Sequence, residues 1–117
     1  MDPRFMRGVE AFNAGRFFVA HEIWEALWND TVGPERSLVQ GLVQIAAGYA
    51  KVESGIRGGA LKLLTRGVAL MQPFTPAGMG LDLAALAESV SADLERLRAA
   101  GDAVDINLVR PPVLQPR

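Results

Sequence analysis

Phe17-Phe18-Val19-Ala20-His21-Glu22-Ile23-Trp24-Glu25-Ala26-Leu27-Trp28 holds the chain's only histidine and both of its tryptophans. Stepped at ~100° per residue, Phe17, Ala20, Ile23, Trp24, Leu27 and Trp28 form one continuous apolar arc, so the segment reads as an amphipathic helix. His21 falls beside Trp28 on that arc, Glu25 follows, and Phe18 lies beyond. The spacing predicts that His21 and Glu25 are buried among rings while Glu22 faces water. An imidazole and a carboxylate four residues apart on a helix can meet. Polar groups set among large apolar rings need such a partner.

Helix punctuation extends outward from this segment. Asp2 is placed to cap a first helix opened by Pro3 and ended by Gly15 after about Ala14. The central helix then runs from near Phe17 to Asn29-Asp30. Gly33-Pro34-Glu35 opens a third, with Pro34 in its first turn, and Gly55 stops it after Glu53-Ser54. A fourth runs from about Gly58 to Met71. Pro73, Pro76, Gly78 and Gly80 make a loop with no strand in it. Asp82 caps a fifth helix, whose Leu83, Leu86, Val90, Leu94 and Leu97 recur at three- and four-residue steps before Gly101. Gly15, Ala20, Trp24 and Trp28 have counterparts forty residues on at Gly55, Ala60, Leu64 and Val68, a weak internal repeat. The predicted fold is all-α: two helical hairpins plus a covering helix, about five helices in one bundle. Residues 1–101 form the bundle domain. Residues 102–117 form an extended tail with three prolines, in which Val104, Ile106 and Leu108 alternate.

Composition narrows the function. The chain has 117 residues, half of them hydrophobic, which suffices for one domain with a real core. Its formal net charge is −1 and its charges alternate in sign, so no basic footprint for nucleic acid or for an anionic membrane surface is present. The longest apolar stretch, Leu42 to Ala50, is broken by Gln44 and Gly48 and is too short to span a bilayer. Cysteine is absent, which removes disulfides and thiolate metal sites. A cytoplasmic homodimer is expected, with the tail as its candidate cross-subunit strap; the leucine series of the fifth helix is long enough for a dimer seam but is expected to cover the bundle core.

The third helix carries Gln40, Gln44 and Lys51 on one stripe beside a ridge of Gly41 and Gly48. Glycines seven apart admit a close neighbour, so the central helix is expected against this ridge, with Gln44 in reach of Glu25 or His21. Lys62 and Arg66 read as a solvated stripe on the fourth helix.

The pattern His21-x-x-x-Glu25-x-x-Trp28 is preceded by Phe12-Asn13-Ala14-Gly15-Arg16-Phe17-Phe18 and followed by Gln40-Gly41-Leu42-Val43-Gln44. Together these resemble a small bacterial and archaeal family known as domain of unknown function 309, whose hallmark is HxxxExxW. The likeness runs from about Phe5 to Leu97 and includes Arg57-Gly58-Gly59-Ala60. It implies an all-helical fold. It also carries the label of predicted metal-dependent hydrolase, which would fall on His21 and Glu25.

Four readings compete for the central segment. The first is a binding module for a small molecule or peptide, with Trp24 and Trp28 as anchors and His21, Glu25 and Gln44 as polar contacts. Equal to it stands a structural clamp, in which the His21–Glu25 pair ties helices together and no cofactor is bound. The third is a divalent-metal hydrolase with His21 and Glu25 as ligands. A catalytic zinc takes three protein ligands, so Glu22, Glu53, Asp82 or another subunit would have to complete it. The last is metal-free proton transfer by the pair, for which Ser37, Ser54 and Thr65 offer no partnered nucleophile.

Overall fold

The structure, a computed structural model, describes residues 1–116. It contains helices α1 (Pro3–Asn13), α2 (Phe17–Asp30), α3 (Arg36–Glu53), α4 (Arg57–Met71) and α5 (Leu83–Ala100). Asp2 caps α1 by accepting from the Arg4 amide at 2.9 Å. The Arg4 guanidinium also bonds this carboxyl and holds it down at about 2. Asp82 caps α5 by accepting from the Ala85 amide at 3.0 Å. Pro34 lies in the turn ahead of α3 rather than in its first turn, because Gly33, at φ 85°, begins a tight turn closed by the Arg36 amide.

The internal repeat is carried by the backbone itself. Gly15 and Gly55 end α1 and α3 with φ of 78° and 72°, values that a side chain would strain. The Arg16 amide donates to Ala11 O and the Gly15 amide to Phe12 O. Forty residues on, the Ile56 amide donates to Lys51 O and the Gly55 amide to Val52 O. Both helices therefore close in the same Schellman motif. Packing repeats too. Trp24 lies on Gly8, where an added Cβ would sit 2.0 Å from its Nε1, and its indole donates to Phe5 O at 3.1 Å. Leu64 lies on Gly48, where an added Cβ would sit 2.7 Å from its Cδ2.

The glycine ridge of α3 faces α4, not α2 as the sequence suggested. Gly41 approaches the Gly67 carbonyl and Gly48 approaches Leu64. The indole of Trp24 finds its small neighbour inside its own hairpin, so α2 has no need of the ridge. The hairpins pack through α2 against α3, and α5 covers α4.

The Pro/Gly loop holds a feature the sequence concealed. Ala77–Gly78 (β1) pairs antiparallel with Leu81–Asp82 (β2), and Leu81 also bridges Pro116. Two-residue strands are too short to show a period in sequence.

Leu83, Leu86, Val90, Leu94 and Leu97 are buried in this chain's own core, which takes them away from a dimer seam. Asp93 is buried on the same face and is fully bonded. Tyr49 of α3 donates its hydroxyl to Oδ2 at 2.6 Å, while Arg96 and the Arg110 amide donate to Oδ1 at 2.6 and 2.8 Å. One carboxylate thus joins the core, α5 and the tail. The tail closes back on its own bundle. Asn13 exchanges two bonds with the Leu114 backbone, and the Asp82 amide donates to Gln115 O. Val104, Val109 and Leu114 are buried, but Ile106–Leu108 form a 3-10 turn rather than a continuous extended run, because Asp105 caps the turn through the Asn107 amide. Within the described residues, no helix is long and apolar enough to cross a membrane.

Two outcomes follow from this packing. Gly8→Ala forces a methyl into the Trp24 ring and lowers unfolding stability by about 1–3 kcal/mol in urea titration. Gly58→Ala, with no described atom within 4 Å of the new Cβ, raises it by up to about 1 kcal/mol. Burial, together with the Asp93 carboxylate, pushes the Tyr49 phenol well above its ordinary 10.0. The fold then favours the neutral phenol, so its contribution is complete below pH ~10 and drains away as pH rises further. Thermal melts at increasing pH above ~10 should show a loss for the wild type that Tyr49→Phe lacks.

Candidate functional site

Helix α2 packs chiefly against α1 and α3 through Phe17, Ala20, Trp24 and Leu27, all buried. Its remaining apolar flank, with Phe18, His21 and Glu25, is not covered by another helix. His21 and Glu25 do pair, with Nε2 standing 2.9 Å from Oε2. The pair nevertheless stands at a rim: the His21 side chain is 23% exposed and Glu25 50% exposed. Phe18, at 60% exposed, lays its ring beside the imidazole with centroids 5.9 Å apart. The expectation that both polar groups are swallowed by the apolar surface is therefore corrected. An apolar arc wider than two neighbouring helices can cover leaves its edge in water. His21 Nδ1 is buried and has no hydrogen-bond partner among the described residues.

The tryptophans separate. Trp24 is fully buried, bonded to Phe5 O and packed on Phe12, so it is core and presents nothing to a ligand. Trp28 is half-buried, with the Arg36 guanidinium 4.0 Å above its ring. Its indole N–H is buried and lacks a partner among the described residues. Gln44 bonds neither Glu25 nor His21. It lines a hollow of about 430 Å³ with Gln40, Arg66, Ala69 and Leu70, and its Oε1 is buried without a partner among the described residues.

His21 borders two further hollows. One, of about 310 Å³, lies on the outer side of α2 with Phe18, Glu22, Glu25, Ala26 and Asn29. The other, of about 420 Å³, lies on the inner side with Phe18, Ala47, Ala50, Lys51, Ser54 and Leu63. This inner hollow and the Gln44 hollow follow one another along the same stripe of α3 and the same side of α4. The two hollows together are called the trough: Gln40 and Gln44 floor one, with Arg66 and Leu70 on its α4 side, and Ala47 and Lys51 floor the other, between Phe18 and His21 on one side and Leu63 on the other. Lys62 and Arg66 are both exposed, as expected of a solvated stripe, and Arg66 also lines the Gln44 hollow. Arg36 and Ala47 were overlooked in the sequence, although both share the Gln40–Gln44–Lys51 stripe by helical spacing.

His21 Nε2 and Glu25 Oε2, the two ligand candidates, stand 2.9 Å apart. Glu22 lines the outer hollow beside Glu25, but Asp82 is used as the α5 cap and Glu53 lines a separate hollow against the tail. Among the described residues no three of His, Asp and Glu gather in a group able to hold a metal ion.

Fold and site together define a small all-helical protein of two like hairpins, with an HxxxExxW helix at the edge of a trough. The chain belongs to the family described as domain of unknown function (DUF309), whose model matches residues 5–63. That match covers both hairpins' first three helices and the opening of α4, and stops short of Leu97. No curated protein matches the chain.

Truncations should separate core from rim. In urea titrations Trp24→Ala lowers stability by about 3–5 kcal/mol. Glu25→Ala, breaking a half-exposed i,i+4 pair, lowers it by less than about 1 kcal/mol.

Proposed function

We propose that this protein is a binding module whose ligand, a small molecule or a peptide, lies in the trough between α2, α3 and α4. The reading is supported by two buried polar atoms of residues that line these hollows, His21 Nδ1 and Gln44 Oε1, that lack partners among the described residues. Buried polar groups are seldom left without a hydrogen bond, and a ligand or bound water is the ordinary remedy. The hollows themselves are of a size that small ligands fill. In this reading Gln44 and His21 supply orientation, and Glu25 holds the imidazole in place. The module works as a cytoplasmic protein and as a homodimer whose seam lies outside the trough.

The competing reading, a metal-dependent hydrolase on His21 and Glu25, rests on the convergence of these two side chains with Glu22 in the outer hollow. Two measurements separate the readings. In a fragment screen followed by amide and indole NMR shifts, trough binding perturbs the Trp28 indole and the Gln44 side-chain amide. Ala47→Trp, which fills the trough floor, abolishes those shifts. Fragments that bind nowhere on this face overturn the binding reading. Melts with zinc, manganese and magnesium should leave the melting temperature unchanged. A rise specific to one metal and lost in Glu25→Ala moves the protein to the hydrolase class.

A further inference from the structure

We infer that the occupant of the trough is an acidic peptide segment of a partner protein, laid lengthwise along α3; this rests on the binding reading above. Each hollow of the trough has its own cationic side chain: Arg66 lines one and Lys51 the other, while Arg36, one turn before Gln40 on α3, stacks on Trp28. Among the described residues none of the three enters an ion pair. No carboxylate lines either hollow of the trough, whereas Glu22 and Glu25 line the hollow on the other side of α2. A chain with a net charge of −1 therefore shows one face of opposite sign, and His21 stands on the line between the two faces.

Length and chemistry select a peptide. From Gln40 to Ser54 the α3 residues that line the two hollows span roughly 21 Å at ~1.5 Å per residue. That exceeds a compact small molecule and matches about six or seven residues of extended chain. The lining is mixed in character: Ala47 on the floor and Leu63 and Leu70 on the α4 wall are apolar, while Gln40 and Gln44 offer amides. A primary amide supplies a donor and an acceptor side by side, which is what a peptide backbone pairs with. The buried end of the Gln44 amide serves either way, since the group can turn over. Nucleic acid suits the trough poorly. Two cations over this length answer a sparse set of carboxylates better than a phosphate at every step, and the Trp28 face is already taken by Arg36.

The test uses fluorescence anisotropy on the full chain with three short fluorescein-labelled peptides of matched leucine and alanine content, carrying glutamate, glutamine or lysine at the remaining positions. The glutamate peptide should bind, weaken as salt is raised, and lose about tenfold or more in affinity against Lys51→Glu/Arg66→Glu. Both substitutions are in solvent-accessible side chains, and circular dichroism confirms that the variant is folded. Equal binding of the lysine and glutamate peptides overturns the inference. So does failure of the glutamate peptide while neutral fragments still perturb Gln44, an outcome that leaves the trough as a small-molecule site. Failure of peptides and fragments alike removes the binding reading with it. If the wild type sediments as a dimer that Lys51→Glu/Arg66→Glu dissociates, the trough belongs to a second copy of this chain, and the peptide inference falls.

Discussion

The close approach of α3 to α4 is the constraint on which the rest of the molecule depends. Gly41, Gly48 and Gly67 bring the two backbones together, with the Gly41 carbonyl only 3.0 Å from where a Gly67 Cβ would stand. A helix pair held that closely has its relative rotation set by backbone rather than by side chains, which resist compression less. The choice of partner for the glycine ridge then decides everything beside it. With α4 on the ridge and α2 on the opposite flank, the stripe Arg36–Gln40–Gln44–Ala47–Lys51 is left between two helices and under none. The trough is the uncovered remainder of α3.

A second constraint is electrostatic. Asp93 lies on the leucine face of α5, where a lone carboxylate would be prohibitively costly to bury. It is tolerated because Tyr49, Arg96 and the Arg110 amide all donate to it. The donors come from α3, α5 and the tail, so α5 and the tail cannot seat independently of α3. Such a network specifies one arrangement of the parts, since a partly satisfied version would be worse than an apolar core. The Asn13–Leu114 bonds repeat this closure at the other end of the tail. Signs of both were available. Asp93 is three residues after Val90 and four before Leu97, a helical position that belongs to the apolar face.

The candidate site was legible in part. His21 and Glu25 meet as their spacing requires, because an i,i+4 pair is a property of one helix. Their exposure was misjudged, because it depends on how many neighbours α2 has. Trp24 and Trp28 look alike on the helical wheel yet differ in kind: one fills the hairpin against Gly8, the other lies under Arg36. Gln44 was expected to answer Glu25, but the flank of α3 that α2 touches is not the flank that carries Gln44. Arg66 is solvated as expected, and that it also lines the Gln44 hollow depends on how α4 sits against α3.

What the sequence by itself determined is local: where helices start and stop, the two identical glycine terminations forty residues apart, and the meeting of His21 with Glu25. These follow from hydrogen bonds and periodicities that span a few residues, and they need no knowledge of neighbours. Only the tertiary structure decided which face of α3 meets α4, that Asp93 has donors, and that a cationic trough remains open. Each of these is a contact between residues far apart in the chain. Many helix pairings satisfy the same apolar stripes, and the fit of particular glycines to particular side chains selects one of them.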